Sequence, residues 1–165
     1  MIPCDAFVSA LKTCSGVNLR PVSACALLTV LVGSLQLDGD GIVAPLTALC
    51  TVSVPRDIEV IIPRLACHEH WIHNGGANWH IFSDRSLCIE LPERWQKQLL
   101  AISRVFSPKD AAKYAAEYFL NSARWLLTRH RYAFENGLAE WPQNWPQWAH
   151  GESGRREYFS QHKAA

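Results

Sequence analysis

Ala24-Cys25-Ala26-Leu27-Leu28-Thr29-Val30-Leu31-Val32-Gly33-Ser34-Leu35-Gln36-Leu37-Asp38-Gly39-Asp40-Gly41 is an aliphatic, β-branched run that ends in a turn signal. Such a run favours a strand, and the Asp-Gly repeat favours a hairpin because glycine accepts positive φ. Ile42 to Val54 then reads as a second strand, with Pro45 pointing to an edge or an irregular start. Pro55-Arg56 makes a further break, and Asp57 to Leu65 reads as a third strand. Three strands joined by short turns predict an antiparallel meander. Upstream of it, Ala6, Phe7, Ala10 and Leu11 lie on one helical face, so Asp5 to Cys14 is expected to be a helix that Gly16 stops.

Downstream, the pattern dissolves from Ala66 to Ser86, a segment with Asn74-Gly75-Gly76 and four of the seven histidines. Long irregular segments in a compact domain are often functional. Pro92 to Arg104 reads as a short helix with proline in its first turn. Ser107-Pro108-Lys109-Asp110 is a helix start, with serine as cap and an acid in the first turn. That helix is expected to run to Gly137, with Ala112, Ala115, Phe119, Ser122, Leu126 and Arg129 along one line. Residues 1–165 are expected to form one α+β domain, the tail 138–165 being a Trp/Pro-rich extension packed on it. Trp95, Trp125 and Trp148 read as packing residues, Trp141 and Trp145 as straps for the tail, and His130 as part of a solvated helix face.

Composition narrows the functional classes. Of 165 residues, 48% are hydrophobic and 19% charged, enough to build a core. Sixteen basic against fifteen acidic residues give a formal charge of +1, without the basic surplus that phosphate binding normally needs. The longest apolar run, Val22 to Leu37, is interrupted by polar residues and is shorter than the ~20 residues of a membrane span. Met1 to Asp5 has no basic cluster, and no small-residue cleavage pattern follows Leu37, so a cytoplasmic protein is expected. In that compartment most of the six cysteines should be reduced, and Cys25 and Cys50, inside apolar runs, should be buried.

Cys88 fits that pattern less well. It closes Asn78-Trp79-His80-Ile81-Phe82-Ser83-Asp84-Arg85-Ser86-Leu87-Cys88 and is followed by Pro92-Glu93-Arg94-Trp95. A cysteine is a useful nucleophile when its thiolate is accessible and stabilised and when donors hold the oxyanion of the tetrahedral intermediate. The stretch resembles the active-site segment of ubiquitin-conjugating enzymes, in which His-Pro-Asn is followed by a turn, Gly-Ser-aliphatic-Cys and a tryptophan. Ser86-Leu87-Cys88 matches the approach to the nucleophile, and Trp95 falls one residue short of the family's tryptophan. Arg85 replaces the glycine, and Asn78-Trp79-His80 stands where His-Pro-Asn is expected. His80 occupies the place of the asparagine, from which its ring can donate to an oxyanion or accept a proton. The order of helix, meander, irregular stretch and later helices follows the family over residues 5–137.

The resemblance implies a ubiquitin-conjugating-enzyme-like fold and a thioester relay. An activating enzyme loads a protein C-terminus onto Cys88, and an amine on a target protein then attacks. His80 is the second catalytic residue. Asn78, Ser86, Glu90 and Asp84 support the site, with Glu90 matching a position that is often acidic in the family. The active-site stretch and the tail Trp141-Pro142 to Gly151 look like bacterial relatives, some of them encoded in anti-phage operons of the CBASS type. There the resemblance implies a cGAS-like nucleotidyltransferase as the loaded partner. No cofactor is implied, and neither a nucleic acid nor a membrane is an expected partner.

Other readings of the same residues stay open. Cys67, His68, His70, His73, His80 and Cys88 supply ligand types for zinc, although no C-x-x-C is present. A Cys-His hydrolase would need His80 or His130 on the Cys88 sulfur. A protein-binding module of the same fold would leave the cysteine inert.

Overall fold

The computed structural model describes residues 1–21, 27–36, 45–58, 61–72, 80–89, 91–135 and 137, and for 21, 27–36, 45–47, 132 and 135 the backbone alone. Three helices and four strands are ordered α1 (Cys4–Thr13), β1 (Val17–Pro21), β2 (Leu27–Gln36), β3 (Pro45–Ser53), β4 (Arg64–Cys67), α2 (Pro92–Val105) and α3 (Pro108–Glu135) among the described residues. The class is α+β, as expected, with the sheet early and the helices at the two ends.

The strands form one antiparallel sheet in the order β1-β2-β3-β4. The meander is real but holds one strand more than expected and places another differently. Val17–Pro21 is a strand, paired with β2 from Val17 opposite Val32 to Pro21 opposite Leu28. Asp57 to Leu65 is not the third strand; the partner of β3 is Arg64–Cys67, with Cys50 opposite Cys67 and Ser53 opposite Arg64. Pro63 lacks the N–H that a ladder needs, so the pairing starts after it. Ahead of it the chain turns, with Ile61 N–H donating to the Asp57 carbonyl (3.1 Å). The Asp38–Gly41 turn lies outside the described residues.

Burial alternates as a half-covered sheet requires. Cys50 and Val52 on β3, and Leu65 and Cys67 on β4, are buried, while Thr51, Ser53 and Ala66 are partly exposed. This buried face joins the inner faces of the helices in one core. Phe7 packs edge-on against Phe119 with ring centres 5.9 Å apart. Trp95 stacks on Tyr118 at 5.9 Å and meets Phe119 at 6.4 Å. Its indole N–H donates to the Ile58 carbonyl (3.1 Å), which gives the buried ring a polar partner and pins the segment ahead of β4 to α2.

Local signals explain the helices. Pro92 sits in the first turn of α2, and Trp95, Leu99 and Ile102 recur on its buried face. Burying each such side chain contributes about 1.5–3 kcal/mol. Ser107 caps α3: its hydroxyl accepts from Asp110 N–H (3.3 Å) and donates to the Asp110 carboxylate (2.6 Å). Residues Trp125 to His130 of α3 are all buried, so this helix is enclosed on every side there. The reading of His130 as solvated is therefore wrong: the residue is 1% exposed. Arg129 is buried with it and lays its guanidinium over the Trp125 ring at 4.3 Å, a contact that lets a cation sit in an apolar setting. No helix of the described residues is long and apolar enough to cross a membrane.

Candidate active site

Cys88 ends a tight hairpin. Phe82 N–H bonds the Ser86 carbonyl (2.9 Å), Arg85 N–H bonds the Phe82 carbonyl (2.9 Å), and Cys88 N–H bonds the His80 carbonyl (2.7 Å). Ile81 pairs with Leu87, so His80 and Cys88 stand opposite each other at the mouth of the hairpin. The turn is of the kind whose last residue takes a left-handed conformation. That residue is Arg85, with φ of 65°.

A glycine takes this φ without strain. For arginine the left-handed conformation costs about 1–2 kcal/mol. The side chain offsets it: Nε donates to the Cys67 carbonyl (3.1 Å) and Nη2 to the Glu69 carbonyl. A bond from a charged donor is worth about 1.5–3 kcal/mol. Arg85 thus ties the hairpin to the end of β4. Backbone bonds from Leu87 N–H to Leu65 (2.8 Å) and from Cys67 N–H to Arg85 (3.2 Å) complete the attachment, and the hairpin arm extends the sheet beyond β4.

Asp84 and Ser86 act inside this turn. Ser86 is buried, and the Asp84 carboxylate accepts from its hydroxyl and from its backbone N–H (3.0 Å). These two bonds, the hydroxyl first, and the Arg64 guanidinium 3.4 Å away hold the carboxyl below its usual range. Both are structural supports of the hairpin turn. His80 is itself left-handed, with φ of 50°. Asn78 and Glu90 lie outside the described residues, as do His73, Cys25 and the tail.

The Cys88 side chain is half-buried and lines a groove of about 280 Å³. One wall is the chain from Ile61 to Arg64; Phe82, Leu87 and Ile89 form another; Leu91 and Pro92 close the end. Ile61, Phe82 and Leu91 are more than half exposed, which makes the rim apolar. The groove also meets the first turn of α2 at Pro92. A larger cleft of about 490 Å³ lies between α1 and the start of α3, lined by Asp5, Ser9, Thr13, Lys109, Asp110 and Lys113.

The structure therefore brings Cys88, His80, Ser86 and Asp84 into one hairpin. It adds Arg64 on the groove wall, which the sequence did not single out, and gives Arg85, noted in the sequence only as standing where glycine is expected, the role of the tie. Pro63 was the usable signal for the first, since a proline within an apolar run argues against a strand and for an irregular wall. Of the zinc candidates, His73 lies outside the described residues, and three of the others are engaged elsewhere. Cys67 points into the core, His68 Nε2 bonds the Thr51 hydroxyl (2.7 Å), and His70 packs against Phe134. Among the described residues no three His, Cys, Asp or Glu side chains are grouped to hold a metal ion. Comparison with protein-family models, with curated proteins and with solved structures finds no match to this chain.

Proposed function

We propose that the chain is a ubiquitin-conjugating-like acyl carrier that holds a protein C-terminus as a thioester on Cys88. The observation that carries the reading is the placement of a half-buried Cys88 thiol in an apolar-rimmed groove, at the end of a hairpin with a left-handed corner at Arg85. In the first step the Cys88 sulfur attacks the carbonyl of a thioester on an activating enzyme, and collapse of the tetrahedral intermediate expels that enzyme's thiolate. In the second, an amine of a target protein attacks, the Cys88 thiolate leaves and an amide forms. The amine's proton passes to His80 or to solvent.

Cys88 N–H is committed to the His80 carbonyl. Oxyanion donors must therefore come from the His80 ring or from the backbone beyond Cys88. The loaded protein in this reading is a cGAS-like nucleotidyltransferase of an anti-phage system, and the work is done in the cytoplasm. The test replaces the thioester by an amide. Cys88→Lys, incubated with the activating enzyme, the donor protein and ATP, should give an adduct that survives reducing agent, and Cys88→Ala should give none. A folded Cys88→Lys chain that stays bare while the activating enzyme is charged overturns the reading.

A further inference from the structure

Cys50 on β3 and Cys67 on β4 face each other directly across the sheet. The bond from His68 N–H to the Leu49 carbonyl (2.9 Å) flanks this pair, which marks it as one of the pairs that share no backbone bond of their own. In such pairs the Cα atoms approach to about 4.5 Å and side chains are closest, a separation within the range disulfides span. Both residues leave the same face of the sheet, and both are fully buried. The neighbouring Cys67 thiol, and then burial, push the Cys50 thiol up, while the neighbouring Cys50 thiol holds Cys67 down. Neither residue belongs to the Cys88 groove.

We infer that Cys50 and Cys67 form a buried dithiol that hydrogen peroxide converts into a cross-strand disulfide. Full burial selects a small oxidant over glutathione disulfide, which needs an exposed sulfur to attack. The Cys67 thiolate attacks one peroxide oxygen, the O–O bond breaks, and hydroxide leaves to take up the displaced proton as water. The resulting sulfenic acid lies against the Cys50 thiol. Cys50 sulfur attacks it, the S–O bond breaks, and a second water carries off the oxygen and the Cys50 proton. Two thiols and one peroxide become one disulfide and two waters.

The bond fastens the strand that holds the Cys88 hairpin, because Cys67 gives its N–H to the Arg85 carbonyl and its own carbonyl to Arg85 Nε. Oxidation should therefore stiffen the platform under the groove rather than block the groove itself.

The test treats the full chain with hydrogen peroxide in native buffer, quenches in acid, alkylates the remaining thiols after unfolding, and maps the peptides by mass. The expected product is a Cys50–Cys67 linked peptide, lighter by two hydrogens and restored by dithiothreitol. Linking should raise the thermal midpoint by several degrees, as a cross-link closing a loop between adjacent strands does. Cys50→Ala should abolish both effects, and Cys67→Ala serves the same purpose if the first variant folds poorly. The inference is overturned if both residues stay alkylatable once Cys88 has oxidised, if either links to another cysteine, or if the midpoint falls on linking.

Discussion

Cys67 and Cys88 bracket the same irregular stretch and are joined through the same sheet extension, yet the fold gives them opposite chemistry. Cys67 ends β4 on its covered face, with Cys50 for a neighbour and no exposed surface. Cys88 ends a hairpin that attaches to β4 by its backbone but carries its own thiol to a groove rim. What separates them is the type of element, not local composition. A strand in a half-covered sheet buries every second residue, and in the hairpin the half-buried Cys88 stands between the buried Leu87 and Ile89. The same side chain thus becomes half of a buried dithiol in one place and a candidate nucleophile at a groove in the other.

The largest test of that contrast is native-state thiol labelling. Cys88 should react with a small alkylating reagent about a thousandfold faster than Cys67, since Cys67 becomes accessible only when the sheet opens. Comparable rates read by peptide mapping would erase the distinction. Trp95→Ala should then bring the two closer together. It removes a fully buried ring and its bond to Ile58, and a loss of about 3–5 kcal/mol in urea unfolding is expected. Opening should speed Cys67 labelling more than Cys88 labelling.

A smaller effect is expected at the tie between the two cysteines. Arg85→Ala loses both side-chain bonds and keeps the left-handed strain, so it should destabilise by about 1–3 kcal/mol. Arg85→Gly loses the bonds but relieves the strain and should cost less than alanine. The reverse order in urea midpoints would remove the strain argument.

The smallest effect concerns Asp84. Its carboxyl is held below the ordinary 3.8, chiefly by the Ser86 hydroxyl. A group with a depressed folded pKa contributes stability that is complete above its unfolded pKa and is lost as pH falls through the folded one. The difference in unfolding midpoint between the protein and Asp84→Asn should therefore be present at neutral pH and vanish in acid below the ordinary carboxylate range. A difference that persists there would place the effect in shape rather than charge.

The legible parts of the fold were the locally encoded ones. Ser107-Pro108 and the period of Trp95, Leu99 and Ile102 announce α3 and α2 because caps and helical faces are written within a few residues. β1 was missed because Val17-Asn18-Leu19-Arg20 is short and half polar, and only β2 beside it makes it a strand. Asp57 to Leu65 reads as a strand because it is rich in aliphatic residues, but Ile58 serves the core and Ile61 and Ile62 the groove. His130 was misjudged because its arginine neighbours look solvated, whereas Arg129 covers Trp125. In the site, the spacing between His80 and Cys88 was readable because one hairpin carries both. Arg64 and the groove wall were not, since they join Cys88 only through the pairing of β4 with that hairpin.

The central claim, that Cys88 carries an acyl group, is tested most directly by intact-mass spectrometry of the chain co-expressed with its gene neighbours, with and without reducing agent. The account predicts a protein adduct that reducing agent removes and that Cys88→Ala never acquires, its mass naming the loaded protein. A chain that remains bare in the presence of a charged activating enzyme, or an adduct that Cys88→Ala still carries, would contradict it.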